Sequence, residues 1–171
     1  MFRSGAFVAD HVTPVSDEQR QPNGVDLTLE AVFRQRGPGR ITTDGKSVGP
    51  RYRKEGGPLG DPDEGEGGHE HDDADREGYR LAPGNYVVRY AEIVQIPEGH
   101  VGFIYPRSSL LRNSCMLNTA VWDAGYEGKG EGLLQVGHDI EIEAGARIAQ
   151  LVLAEADHTG EYDGDYQGEN V

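Results

Sequence analysis

Short apolar runs separated by turns dominate the hydrophobic pattern of this chain. Residues 25–33 alternate apolar and polar side chains, the period of two that predicts a half-buried β-strand. β-Branched and aromatic runs at 86–90, 92–96 and 100–105 are punctuated by Pro-Gly and Pro-Glu-Gly sequences, which favour turns. Further strands are predicted at 116–121, 133–136, 139–143 and 147–154.

The helical signal is confined to one short segment, 108–113, and no stretch carries the period of a long amphipathic helix. Many short strands with regular turns are typical of an all-β sandwich or barrel. A chain of 171 residues can bury the core of one domain. We therefore predict a mainly β, barrel-like single domain over residues 1–171.

Residues 34–78 interrupt the strand pattern with Gly, Pro, Arg and acidic residues. Between 61 and 78 there are nine acidic residues and one Arg, with almost nothing apolar to offset the entropy of ordering. We predict an acidic, partly disordered insertion within the domain, whose removal from 37 to 78 leaves folding intact. The cluster His69 to Asp73 could ligate a metal, but its glycine-rich flanks favour a flexible acidic loop.

The charge balance restricts the partners of the protein. With 30 acidic against 16 basic residues, the formal net charge is −14. Since neutralising DNA or RNA phosphates needs a basic face, we predict no nucleic-acid partner. Lysine occurs only at Lys46, Lys54 and Lys129. An acid-rich, lysine-poor surface suits a cytoplasm of very high salt. The alternative is an ordinary acidic protein with a disordered acidic loop.

Cysteine usage and hydropathy predict the compartment. The single cysteine, Cys115, excludes an internal disulfide framework and a C-x-x-C metal or redox motif. No apolar run is long enough to span a bilayer, and no leader pattern opens the sequence. We predict a cytoplasmic protein with no membrane partner.

The segment 106–128 carries the candidate chemistry. Arg107, Ser108, Ser109 and Arg112 combine guanidinium forks with hydroxyl donors, a combination that binds phosphate oxygens. Asp123 follows within a Gly- and Tyr-bearing turn, where a carboxylate can orient or deprotonate a water. Together they indicate a phosphate-ester or anhydride hydrolase. The same residues also suit a solvated helix cap and a capped turn.

Several segments in order resemble the trimeric dUTPase and dCTP deaminase superfamily. They are QPNGVDLTL (21–29), RSSLLR (107–112), WDAGYEG (122–128), AGARIAQLV (144–152) and the tail YDGDYQG (162–168). The resemblance covers about residues 20–168, with one large insertion. It implies a distorted jelly-roll that assembles as a homotrimer, with active sites at the subunit interfaces.

The resemblance also implies residue roles. Asp123 aligns with the catalytic aspartate, Tyr126 would lie against the deoxyribose, and main-chain groups from Asn118 to Tyr126 would read the uracil edge. The tail carries Asp165 where the deaminase-type tail has lysine. The other implied substrate-binding residues are Arg107, Ser108, Ser109, Arg112, Gln150, Tyr166 and Gln167.

Two chemistries occur in this superfamily, and one position separates them. In the deaminases a glutamate on the strand after the turn activates water; here the aligned residue is Gln135, which cannot accept a proton near neutral pH. Glu131 fills that role only if the strand is shifted. We predict a dUTP diphosphatase that forms dUMP and pyrophosphate, with Mg²⁺ held mainly by the triphosphate. The alternatives are a dCTP deaminase, mono- or bifunctional, and a catalytically silent regulatory trimer.

Overall fold

The computed structural model describes residues 1–59 and 76–171. The helices are α1 (Gly5–Ala9) and α2 (Ser108–Arg112), and a 3₁₀ turn covers Asp17–Gln19. The strands are β1 (Val12–Thr13), β2 (Arg20–Gln21), β3 (Gly24–Gln35), β4 (Arg40–Thr42), β5 (Gly45–Ser47), β6 (Arg51–Arg53), β7 (Gly57–Pro58), β8 (Glu77–Leu81), β9 (Gly84–Tyr90), β10 (Ile93–Gln95), β11 (His100–Pro106), β12 (Cys115–Asn118), β13 (Glu127–Gly128), β14 (Glu131–Val136), β15 (Ile140–Glu143) and β16 (Arg147–Glu155).

The main sheet is antiparallel, with strand order β11-β16-β3-β9-β14-β12, and it curls into a nearly closed barrel. The long strand β3 joins its two halves: Val25 to Thr28 pair with β16, and Leu29 to Phe33 pair with β9. Apolar side chains on the inner face of these strands fill the barrel, each stabilising the fold by roughly 1.5–3 kcal/mol. Fully buried examples are Val25, Leu27, Leu29, Val88, Tyr90, Leu134, Leu151 and Leu153. The predicted mainly β, barrel-like fold is confirmed.

A small three-stranded sheet, β1-β10-β13, holds the turn between residues 123 and 126 against the barrel. Strand β12 ends at Asn118, earlier than the predicted 121, because the hydroxyl of Thr119 donates to the carbonyl of Ile104 and draws the chain toward β11. Short elements such as α1, β1 and β2 were not predicted, since they are too short to show a period. No helix in the described residues is long and apolar enough to cross a membrane.

The described part of the segment 34–78 is built into the domain. Strand β6 pairs with the end of β3, β7 pairs with β8, and β4 and β5 form a hairpin. The acidic stretch between residues 60 and 75, which includes the cluster His69 to Asp73, lies outside the described residues. Removal of residues 37–59 would therefore take away paired strands, contrary to the expectation that this whole segment is dispensable.

Candidate active site

A cavity of about 290 Å³ opens beside the turn that carries Asp123. Its apolar wall is mostly aromatic, which suits the flat faces of a base and a sugar. The aromatic lining residues are Trp122, Tyr126, Tyr162 and Tyr166, and the charged ones are Arg51, Asp123, Glu131 and Glu169. Asp123 is exposed at this cavity.

Main-chain hydrogen bonds fix the turn on both sides. Trp122 exchanges two with Gly102 of β11, at N···O distances of 2.8 and 3.1 Å. The N–H of Gly125 donates to Ile96 O at 2.8 Å, and Tyr126 O accepts from the N–H of Ile96 at 2.9 Å. Gly125 has a φ of +86°, and a Cβ there would lie 2.9 Å from Cβ of Glu161. Glycine is required at this position, so the carboxylate of Asp123 projects from a rigid turn.

The ring of Tyr126 is held edge-on between two other aromatic rings. Its centroid lies 4.9 Å from that of Trp122 and 5.7 Å from that of Tyr162, with interplanar angles of 65° and 74°. Such edge-to-face pairs are favourable by about 0.5–1.5 kcal/mol each beyond their area burial. The ring is therefore preorganised in the wall of the cavity.

Glycines 128, 130 and 132 fit against this aromatic cluster. A Cβ at Gly130 would lie 2.2 Å from Cη2 of Trp122, and one at Gly132 would lie 2.6 Å from Oη of Tyr90. Strands β13 and β14 pair with different neighbours, so these glycines do not form a turn between paired strands. Their spacing instead reflects close packing of backbone on aromatic rings.

The C-terminal tail lies across the turn of its own chain. Gln167 donates through Nε2 to Gly125 O at 3.0 Å, and its Oε1 accepts from the N–H of Glu127 at 3.3 Å. Tyr126 donates through Oη to Oε1 of Glu169 at 3.0 Å. Burial raises the pKa of the Glu169 carboxyl, and the nearby charge of Glu131 adds to this, while the hydrogen bond from Tyr126 opposes it. Burial, followed by the charge of Glu169, also raises the pKa of Tyr126.

An ion-pair network forms the charged wall of the cavity. Arg51 of β6 donates to both carboxylate oxygens of Glu131, at 2.5 and 2.7 Å. Arg89 lies 3.2 Å from Oε1 of the same glutamate through Nη2. Sequence reasoning missed both arginines, and it placed Arg51 in a segment predicted to be partly disordered.

Two of the predicted phosphate-binding residues, Arg107 and Gln150, lie beside a buried carboxylate, that of Asp26. Arg107 precedes α2 and lies 3.4 Å, through Nε, from Oδ2 of Asp26, which is 2% exposed. Arg147 lies 3.6 Å from the same oxygen, and Gln150 pairs with Asp26 across the strands. Burial raises the pKa of Asp26, and the two arginines oppose the shift. Arg147 was not predicted, and only its place in the 144–152 segment pointed to it.

One chain does not bring the two groups together. The Asp123 turn is tied to Gly102, while Arg107 follows five residues later, roughly 17 Å away along an extended strand. Ser108, Ser109 and Arg112 are exposed beyond it. Of the predicted site residues, Asp123, Tyr126 and Tyr166 line the cavity and Gln167 contacts its turn.

Asn118 belongs to neither group. Its Nδ2 donates to Oε1 of Gln135 at 3.0 Å on the exposed face of β12 and β14. Gln135 does not line the cavity, whereas Glu131 of the same strand does. The carboxylate of β14 that lines the cavity, that of Glu131, is thus engaged in ion pairs.

A family model, dCTP deaminase-like, matches residues 4–156, which include the Asp123 turn and the Arg107–Arg112 segment. The chain belongs to the dCTP deaminase-like family. The match ends before Tyr166 and Gln167, so the tail lies outside the part of the chain by which the dCTP deaminase-like family is recognised.

Curated relatives and a solved structure extend this result. A Halobacterium salinarum protein named probable deoxyuridine 5'-triphosphate nucleotidohydrolase is 56% identical over 171 residues, covering 100% of this chain and 96% of that protein. The deoxyuridine 5'-triphosphate nucleotidohydrolase of Methanocaldococcus jannaschii is 40% identical, with 90% of each chain covered. The 2'-deoxycytidine 5'-triphosphate deaminase of Agrobacterium tumefaciens superposes with a TM-score of 0.62 at 16% identity, over 91% of this chain and 48% of that one. The last likeness concerns the fold alone.

Proposed function

We propose that this protein is a dUTP diphosphatase that hydrolyses dUTP to dUMP and pyrophosphate. The observation that carries the proposal is the exposed carboxylate of Asp123, held on a rigid turn beside an aromatic cavity. Full-length similarity to relatives named for dUTP hydrolysis supports the same conclusion. In the cell the reaction keeps uracil out of DNA and supplies dUMP for dTMP synthesis. The buried free thiol of Cys115 suits a reducing cytoplasm.

The residues of the cavity have distinct roles in this proposal. Tyr126 packs against the deoxyribose, and main-chain groups of residues 118–126 read the uracil edge. Asp123 aligns a water in line with the α-phosphorus and accepts its proton. The water oxygen bonds to the α-phosphorus, the bond from that phosphorus to the bridging oxygen breaks, and pyrophosphate leaves with the bonding electrons.

The phosphate half of the site comes from a second copy of the chain. Arg107, Ser108, Ser109 and Arg112 would neutralise charge on the leaving phosphates, with Gln150 nearby. Arg107 lies roughly 17 Å along β11 from Gly102, to which the Asp123 turn is bonded, and this separation supports a site shared between neighbours in a homotrimer.

Magnesium fits this site as a companion of the substrate. Among the described residues, no group of three or more His, Cys, Asp or Glu side chains is placed to hold a metal ion. Mg²⁺ usually keeps several waters and binds through substrate phosphates, so triphosphate oxygens and water would supply most of its ligands here. When bound, Mg²⁺ shields phosphate charge, and Asp123 and the arginines position the reactants.

Deamination of dCTP is the second candidate, favoured by the presence of Glu131 in the cavity wall. Against it, the Glu131 carboxylate is occupied by Arg51 and Arg89, and Gln135 is engaged by Asn118. Both oxygens of the Glu131 carboxylate accept hydrogen bonds from Arg51, so the carboxylate is not free to contact a water at the base. Hydrolysis therefore remains the better-supported chemistry.

Separate incubations with dUTP and with dCTP, each with Mg²⁺ in molar KCl, test the proposal. We expect dUMP and pyrophosphate from dUTP and no change in dCTP. Formation of dUTP or dUMP from dCTP would identify a deaminase. No product from either nucleotide, together with nucleotide binding, would instead support a regulatory protein.

A further inference from the structure

The cavity that we assign to the nucleotide is lined by more negative than positive side chains. Three carboxylates line it, Asp123, Glu131 and Glu169, whereas among the described lining residues the only cation is Arg51. A nucleoside triphosphate is itself strongly anionic, and like charges at close range disfavour binding by several kcal/mol in poorly solvated sites. Pairing one of these carboxylates with a cation would lower the repulsion between the cavity wall and the triphosphate that extends from the bound nucleoside.

Arg51 is built to neutralise Glu131. Both side chains are largely shielded, 25% and 17% exposed, and the guanidinium contacts both carboxylate oxygens. This two-point geometry is available to arginine and not to lysine. The pair is therefore unlike an exposed surface ion pair, which contributes little.

Aromatic packing fixes the guanidinium before any ligand arrives. The Cζ of Arg51 lies 4.6 Å from the ring centroid of Phe33, and that of Arg89 lies 4.8 Å from the same ring. Arg89 is also shared with Glu30, 3.8 Å from Nη1, and Glu30 pairs with Lys129 at 2.6 Å. Because Arg89 serves two carboxylates, it cannot replace Arg51 at Glu131.

We propose that Arg51 is a positioning residue of the nucleotide site, which holds Glu131 as a neutralised wall so that the cavity admits a polyanionic nucleotide. The inference rests on the proposed function, because it assigns the cavity to dUTP. It gives the segment 34–59 a role: strand β6 pairs with β3 at Gln35↔Arg51 and thereby delivers Arg51 to the cavity.

The test is a set of substitutions assayed for dUTP hydrolysis and for dUTP binding, the latter by quenching of Trp122 fluorescence. Arg51→Met removes the charge and keeps an unbranched side chain that can still pack on Phe33. We expect KM and Kd to rise about tenfold or more, with kcat changed by less than about threefold, because Glu131 then keeps only its contact with Arg89, which Glu30 shares. Arg51→Lys keeps the charge without the fork and should fall between wild type and Arg51→Met.

The decisive variant is the double substitution Arg51→Met with Glu131→Gln. Removing the carboxylate that Arg51 neutralises should return KM to within about threefold of wild type, a coupling that a double-mutant cycle measures directly. Arg53→Met is the matched control, since Arg53 is an exposed arginine of the same strand that does not line the cavity. It should leave KM unchanged.

Two results would overturn the inference. One is an unchanged KM and Kd in Arg51→Met. The other is a double variant as impaired as the single one, which would make Arg51 a structural anchor only. Failure of the proposed function is separate, because wild-type protein that binds dUTP without hydrolysing it refutes the reaction while the binding series still decides the role of Arg51. Wild-type protein that binds no dUTP overturns both.

Discussion

The Asp123 turn and the Arg107–Arg112 segment are built in opposite ways. The turn is fixed by main-chain bonds to two strands, packed among aromatic rings and covered by the tail of its own chain. In the arginine segment, Ser108, Ser109 and Arg112 are exposed, and the side chain of Arg107 contacts Asp26. One chain thus completes the half suited to a base and sugar and leaves the phosphate half open. The difference points to assembly as a condition for activity.

Dissociation of the oligomer, which would separate the Asp123 turn of one chain from the arginine segment of another, should have the largest effect on activity. The 30 acidic residues of each chain repel one another, and at 0.01 M salt the Debye length grows to about 30 Å, so the repulsion spans the whole subunit. We expect dissociation and loss of essentially all activity on dialysis into low salt, with recovery in molar KCl. Sedimentation and activity from 0.05 to 3 M salt, roughly the range over which screening saturates, measure both.

Circular dichroism on the same samples is the control, since the halves are separated cleanly only if each chain stays folded. An oligomer and an activity that are indifferent to salt would contradict the prediction. That result would leave the acidic, lysine-poor composition without this explanation.

Asp123→Asn changes the proposed proton acceptor in the Asp123 turn. We expect kcat to fall by ~10²–10⁴ while oligomer and dUTP binding persist, because asparagine keeps the shape of the side chain but accepts no proton. Single-turnover rates and binding titrations separate the two effects. Glu127→Gln, at an exposed carboxylate of the neighbouring strand β13, is the matched control and should stay within about threefold of wild type. Near-normal turnover in Asp123→Asn would remove this residue from the mechanism.

Arg107→Ala removes the proposed phosphate-binding guanidinium of the Arg107–Arg112 segment. Its combination with Asp123→Asn in mixed oligomers tests whether this segment and the Asp123 turn act together across subunits. Alone, Arg107→Ala should lower kcat/KM by about 10–10², since it removes a charge-assisted phosphate contact. Mixed oligomers, formed by dissociating both variants in low salt and reassembling them, should regain activity at about one quarter of the sites if each site uses neighbouring chains. No recovery in oligomers shown to be mixed would mean that both groups act within one chain.

Local sequence patterns predicted the strands and the turn that position Asp123. The predicted strands at 25–33, 86–90 and 133–136 and the turn at Gly125 depend on neighbouring residues, and all are found, within β3, β9, β14 and a turn with a positive φ. The prediction that 25–33 is half-buried was wrong, because Asp26 is buried together with the apolar positions beside it. The charged wall was not predictable in this way, because Arg51 and Glu131 lie 80 positions apart and only the strand pairing joins them. Nor could the sequence show that β11 holds Arg107 away from Asp123, since that separation depends on where Trp122 bridges the strand.

Gln135→Glu asks whether a missing base alone separates hydrolysis from deamination. We expect at most weak deamination of dCTP, because residue 135 does not line the cavity within its own chain and the base-reading turn must also accept an amino group. Release of ammonia and dUTP from dCTP is the measurement, with Gln135→Ala as the control for loss of the Asn118 contact. Robust deamination by Gln135→Glu would show that this one position decides the chemistry. Robust deamination by the unmutated protein would show that the alignment of β14 is wrong.

The smallest expected effect concerns the C-terminal tail that covers the Asp123 turn. Burial raises the pKa of Glu169 when the tail is docked, so docking takes up protons. Below the ordinary glutamate pKa of about 4.3 the carboxyl is neutral in both states, and docking is strongest. As pH rises from there through the raised pKa, the docked carboxyl ionises and docking weakens. Amide exchange of Tyr162 and Gly168, corrected for intrinsic rates, should therefore show protection that declines by about tenfold or less across this window.

Glu169→Gln isolates the cause of that decline. Glutamine keeps an oxygen to accept from Tyr126, which donates to Glu169 at 3.0 Å, but it has no ionisation in this range. The variant should hold the low-pH protection of the tail throughout. Asp163→Asn, at an exposed carboxylate of the same tail, should keep the wild-type decline. If Glu169→Gln retained the decline as well, the titrating group would lie elsewhere in the protein.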